Sequence, residues 1–158
     1  GEVMALPTGG GTETVHSHLF EDVDDSQVLI YGAQHHVYTV TSIVVYCHVL
    51  AATTDTFNIQ LDAWDSHGGA SAQTIRLATG NIQVGETFVW NDRFSFNGTE
   101  PTGESGALGS GSAADIDAYQ VAIGAQGSTN RQYLRLTQTS VTDDYDVVVT
   151  YIDQDFSS

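Results

Sequence analysis

Between Asp55 and Ala63 the chain alternates without interruption: Phe57, Ile59, Leu61 and Ala63 share one parity, and Thr56, Asn58, Gln60 and Asp62 the other. A period of two belongs to a β-strand, whose successive side chains point to opposite faces. This segment is therefore expected to be a half-buried strand. Val37–Leu50 (VYTVTSIVVYCHVL) is β-branched and apolar at both parities, which suits a strand covered on both sides or one that bends between sheets. Shorter runs follow at Thr74–Ala78, Thr87–Trp90, Arg93–Phe96, Gln132–Thr137 and Tyr145–Ile152. Turn residues separate most of them, as in Asp65-Ser66-His67-Gly68-Gly69, Gly80-Asn81, Asn91-Asp92 and Thr142-Asp143-Asp144. Many short strands at this spacing predict an all-β fold, an antiparallel β-sandwich of jelly-roll-like type.

The pattern divides the chain into residues 1–26, an N-terminal arm and first strand, and residues 27–158, the sandwich domain. The arm begins Gly-rich, holds Val3, Met4 and Leu6 ahead of Gly9-Gly10-Gly11, and leads to a strand at Glu13–Phe20 and an acidic cluster. An apolar segment on a flexible tether is suited to partner docking, so Val3, Met4 and Leu6 are the candidate docking residues; a frayed terminus is the plainer alternative. Asn97–Ala114 (NGTEPTGESGALGSGSAA) is a long Gly/Ser-rich insertion expected to project from one end of the sandwich. Ser112–Ile123 fits a short helix or a strand equally.

Charge narrows the function. Fourteen Asp and six Glu face four basic residues, Arg76, Arg93, Arg131 and Arg135, with no lysine, for a net charge of −16. Such self-repulsion is tolerable where salt shortens screening to about 3 Å at molar strength, the signature of a halophilic protein. Stability is expected to rise with salt. Direct binding to nucleic acid is not expected, because no basic patch exists to displace counterions from phosphates. No run of about 18 apolar residues predicts a membrane span, and no basic-then-apolar start predicts a secretion signal. Cys47 is the single cysteine, and within an apolar run it is expected to be a small buried hydrophobe and not a reactive thiol.

Catalytic signatures are missing. The chain holds no G-x-S-x-G, Walker A or H-E-x-x-H. Gly109–Ala114 matches a loose dinucleotide loop but has no βαβ unit around it. His16-Ser17-His18 and His35-His36 each offer the start of a metal site, yet no Cys or third spaced His completes either. Adjacent His35 and His36 would face opposite ways in a strand unless the chain turns there. Glu21–Asp25 resembles part of an oxygen-rich cation loop but lacks the Gly and terminal Glu of an EF-hand, so a solvated acidic turn is expected. No enzyme, cofactor or metal is expected. Asn97-Gly98-Thr99 is a glycosylation sequon in the long loop. Trp64, Trp90 and the seven tyrosines offer either sugar-stacking surfaces or core.

From about His36 onward the chain resembles small β-sandwich virion proteins of tailed viruses, such as head decoration and head- or tail-fibre modules. The resemblance lies in "VYTVTSIVVYCHV", the Thr-rich "LAATTDT", the alternating "FNIQLDAW", the mid-chain "NIQVGETFVWNDRF" and the final "DDYDVVVTYID". Combined with the acidic, lysine-free composition, it implies a structural protein located in the virion of a virus with a salt-loving archaeal host. The implied partners are the major capsid or tail proteins and further copies of the chain, as a homo-oligomer, taken as a trimer. The alternative is a carbohydrate-binding or receptor-binding module.

Overall fold

The computed structural model describes residues 12–64, 72–99 and 131–155. They form nine strands: β1 (Thr12–Val23), β2 (Gln27–Tyr31), β3 (His36–Val49), β4 (Phe57–Ala63), β5 (Gln73–Gly80), β6 (Thr87–Trp90), β7 (Phe94–Asn97), β8 (Tyr133–Gln138) and β9 (Asp144–Asp155). Among the described residues there is no helix. Val3, Met4 and Leu6, the Ser112–Ile123 segment and most of the Gly/Ser insertion lie outside them.

Two antiparallel sheets result. One runs β1-β9-β3-β6 with β7 also on β3, and the other runs β2-β8-β4-β5. β6 and β7 lie end to end along one edge of β3, opposite Ile43–Tyr46 and Val37–Val40, respectively. Taken as one interrupted strand, they make the ladder simple. The pairs β1·β9, β2·β8, β3·β6/β7 and β4·β5 are the rungs of a single long hairpin whose tip is β4–β5. Rolling that hairpin adds β3·β9 and β4·β8. This is the double Greek key of a jelly roll, the fold expected from the sequence.

The core is the space between the sheets. Val40, Ile43, Val45 and Cys47 of β3, Tyr145, Val147 and Val149 of β9, Phe57 and Ile59 of β4, and Leu134 and Leu136 of β8 are all 0% exposed. Phe57 meets Phe88 and Tyr145 edge to face, with centroids 5.2 and 5.5 Å away. Each such large apolar side chain contributes about 1.5–3 kcal/mol by leaving water.

Two expectations need correction. β3 is neither covered on both sides nor shared between sheets, for it stays in one sheet beside β9 throughout. A bulge at Thr41, between Val40 and Ser42, resets its alternation so that Val40 and Ile43 both face inward. Its second apolar parity, Val44 and Tyr46, is left on the outer surface. β2, for its part, has no counterpart among the strands read from sequence. Its bulge at Leu29 lets Leu29 and Ile30 be buried consecutively, which erases the alternating signal.

The loops separate by end. At one end, residues 50–56, 81–86 and 139–143 are laced together: Asn81 Nδ2 donates to the carbonyls of Thr53 (2.8 Å) and Asp55 (2.7 Å), and the Ala51 N–H to Asp143 Oδ1 (2.8 Å). At the other, the Gly32 N–H donates to the Gln132 carbonyl (2.9 Å) and the Gln132 N–H to that of Gly98 (2.9 Å). A Cβ on Gly32 would strike the Gly98 carbonyl, and one on Gly98 the backbone of Ala33. Thr99 and Arg131 bridge here, so the long insertion leaves from this end.

Candidate assembly surface

The register of the larger sheet sets its outer face. Leu19 opposes Val148, Val148 opposes Val44, and Val44 opposes Val89. Four strands thus contribute one apolar row across the outside of the sheet, in which Leu19 and Val89 are each 56% exposed. Val15, opposite Ile152 and 72% exposed, shares this face but is set off from the row by the polar pair Ser17 and Thr150. A sandwich needs apolar side chains only on its inner faces, so this row outside is the candidate contact surface. β1 adds a second element. Among the described residues it is an end strand, and apart from Val23 at its tip it is exposed or only partly buried along its whole length.

The outer face of the smaller sheet differs in kind. Arg135 Nε donates to Asp62 Oδ2 at 2.9 Å and its NH1 to Ser26 Oγ at 2.9 Å. Asp62 Oδ1 also accepts from Gln60 Nε2 (3.1 Å) and Thr74 Oγ1 (3.3 Å). Tyr31 and Tyr133 sit tilted at 5.0 Å, with Arg131 over the first ring and Arg135 over the second. With Arg76 on β5, three of the chain's four arginines mark this sheet or its rim. Trp64 lies at the rim, its indole N–H donating to the Arg131 carbonyl (3.0 Å).

Acidic groups gather at two further places. Asp22, Asp144 and Asp146 bring carboxylate oxygens within 4.8 Å of one another, a hard-oxygen set of the type that suits a divalent cation. Asp146 is already engaged, by the Asp22 N–H (3.0 Å) and by His48 Nε2 (2.6 Å). Burial pushes the Asp146 carboxyl up, but those two hydrogen bonds outweigh it and hold it below its ordinary value. The bond to Asp146 raises His48, while burial, then Asp22, raises Asp144. Deeper in, Asp55 (7% exposed) lies beside Asp143 (0%), and burial followed by that carboxyl raises Asp55. Cys47 is fully buried, which pushes its thiol up and away from the reactive thiolate.

The residues singled out from sequence scatter. His16 and His18 share a face of β1, stacked on each other at 5.5 Å and on Tyr151 at 5.2 and 5.8 Å. The chain does turn at His35 (φ 67°), but His36 is held by Asp153 at 2.7 Å and Asp155 at 3.6 Å. Glu21–Asp25 forms no cation loop by itself; only Asp22 joins the β9 carboxylates. Asn97 is exposed, whereas Thr99 of its sequon is 1% exposed. Tyr38 and Tyr145 are core, Tyr46 is outward on the larger sheet, and Tyr31 and Tyr133 form an outward aromatic pair on the smaller. The apolar row itself was missed, because it exists only once four strands are set in register.

No family model matches the chain, and no curated protein does. Among solved structures, a protein of the disulfide-linked pili of Bacillus endospore appendages is similar at a TM-score of 0.40 and 8% identity, over 99% of this chain and 100% of that one. A chain of infectious bursal disease virus, Gx strain, is similar at a TM-score of 0.34 and 6% identity, over 92% of this chain and 29% of that one. Likenesses this distant carry no argument about activity. Among the described residues, no helix is long and apolar enough to cross a membrane.

Proposed function

We propose that the chain is a non-enzymatic structural subunit of a virion, a capsid decoration or accessory head or tail component of a tailed virus from a salt-loving archaeal host. It self-associates into a small closed oligomer and binds major capsid or tail proteins. The observation that carries this reading is the outward apolar row Leu19–Val148–Val44–Val89, which the fold does not need and a partner would cover. Jelly rolls serve in viral capsid and lectin domains, although a fold alone does not assign a role. Mass spectrometry of purified particles should find this chain, and sedimentation in molar salt should give an oligomer. Particles without it, together with a monomer at every concentration, would overturn the reading.

A receptor-binding alternative is favoured by one observation. Tyr31, 57% exposed, pairs with Tyr133 on an outer face rich in Asn, Gln and Thr, which suits stacking against a sugar ring. Glycan titration followed by tyrosine fluorescence would show saturable change, abolished by Tyr31→Ala, if this is the working face.

A further inference from the structure

β1 holds a pattern that the core and the apolar row explain only at Leu19. From Val15 to Leu19 it reads Val-His-Ser-His-Leu, a sequence of the same character in both directions about Ser17. The strand separates this pattern by face. His16 and His18 stand together on one side against Tyr151. Val15, Ser17 and Leu19 stand on the other, where Ser17 Oγ lies 2.9 Å from Thr150 Oγ1. One edge of β1 is paired with β9 along its length, and the other has no strand partner among the described residues. An open edge of this kind is a template for a further strand.

A contact between identical copies about a twofold axis must be self-complementary, and this segment meets that condition in one register. With Ser17 on the axis and the strands antiparallel, Val15 of each copy opposes Leu19 of the other, and His16 opposes His18. All four imidazoles then lie on one face of a continuous sheet. Directly opposed residues have Cβ atoms about 4.5–5.5 Å apart, and alternate residues along a strand are separated by about 6.6 Å. Four imidazoles at such spacings can converge on one ion, with nitrogen–metal distances of about 2.0–2.1 Å and tetrahedral geometry. A single copy supplies two ligands; two copies supply four.

We propose that two copies join β1 to β1 and that His16 and His18 of each hold one zinc-class divalent ion between them. The surroundings fit. Thr14 Oγ1 lies 3.0 Å from His16 Nε2, a hydrogen bond that gives way when this outer nitrogen, the one that reaches between the strands, takes the metal. Tyr151 gives both rings a common floor. The opposed Val15 and Leu19 join the outer apolar patches of the two copies into one surface. Glu13 and Glu21 would face each other across the axis, so the contact is expected to tighten where salt screens them. The proposal shares with the functional reading only the premise of self-association, and its twofold closure differs from the trimer that the family resemblance implies.

The test is sedimentation equilibrium of the whole chain in molar salt, with EDTA or with zinc chloride. Zinc should tighten dimerisation at least tenfold, and the double variant His16→Ala/His18→Ala should lose that response while keeping its thermal unfolding curve. With zinc present and diamide added as the two-electron oxidant, Ser17→Cys should form a disulfide-linked dimer, since directly opposed strand residues lie within disulfide reach and Cys47 is fully buried. Failure of Ser17→Cys to cross-link, or an equal zinc response in the double variant, overturns the site. Oligomers indifferent to zinc and EDTA overturn the metal site but leave the assembly reading intact; a monomer in every condition overturns both.

Discussion

On the larger sheet the outer row runs Leu19, Val148, Val44, Val89; on the smaller, the row through Arg135 runs Val28, Arg135, Gln60, Arg76. Both belong to one rolled hairpin and back onto one core, so folding alone does not account for their difference. The polar face largely closes its own hydrogen bonds, with Asp62 shared among Arg135, Gln60 and Thr74. Little is left there for a partner to satisfy. The apolar face instead leaves side chains in water whose covering would gain about 25 cal/mol per Å². Outward chemistry unneeded for stability thus points to contact, whereas outward chemistry that satisfies itself points to solvent.

The largest effect lies in the core that the two faces share. Phe57→Ala should cost about 3–5 kcal/mol, because its ring fills the space between the sheets. Urea unfolding in molar salt measures this, and a loss below about 1 kcal/mol would mean that the sheets do not depend on one core. Next comes the polar face alone. Arg135→Ala strands the Asp62 side chain, 10% exposed, without its guanidinium; stability should fall by about 2 kcal/mol while self-association is unchanged. The paired change on the other face, Leu19→Asp with Val89→Asp, should do the converse. Unfolding should move by no more than about 0.5 kcal/mol, and self-association should weaken at least tenfold, about 1.4 kcal/mol. If both changes affect unfolding alike, the two faces do not have separate roles.

The smallest effect concerns the laced loop end. Asp55 is raised by burial and by Asp143 beside it. A group raised on folding stabilises fully below its unfolded value and loses that contribution as pH rises through its folded value. Wild-type melting temperature should therefore carry a fall that begins above about pH 4. Asp55→Asn should remove that component and melt higher than wild type at neutral pH. Identical pH profiles for the two proteins would exclude Asp55 as its source.

Strand content was legible in the sequence because alternation survives where a strand is regular, as in β4 at Phe57–Ala63, and because β-branched and aromatic runs between turns mark others, as in β6 at Thr87–Trp90. It failed at bulges. Leu29 made β2 invisible, and Thr41 made β3 look buried on both faces when one face is half open. The apolarity of Val44 was visible from the start, but its meaning was not. Only the pairing of Leu19 with Val148, and of Val148 with Val44, turns scattered valines into a surface. No local pattern encodes which strands meet across more than a hundred residues. Likewise His16 and His18 read as an incomplete ligand pair until β1 proved to be an edge strand.

The rolled hairpin also orders events in time. Its tip, β4–β5, joins neighbours in sequence, whereas its outermost rung brings Glu13 to Gln154 across 141 positions. Loop closure becomes costlier with separation, and folds rich in distant pairings form in milliseconds to seconds. β1 is thus the strand expected to dock last. Until it does, Leu19 has not met Val148 and the apolar row is one strand short. A chain still folding cannot present the finished surface, so any assembly through that surface would select for completed molecules.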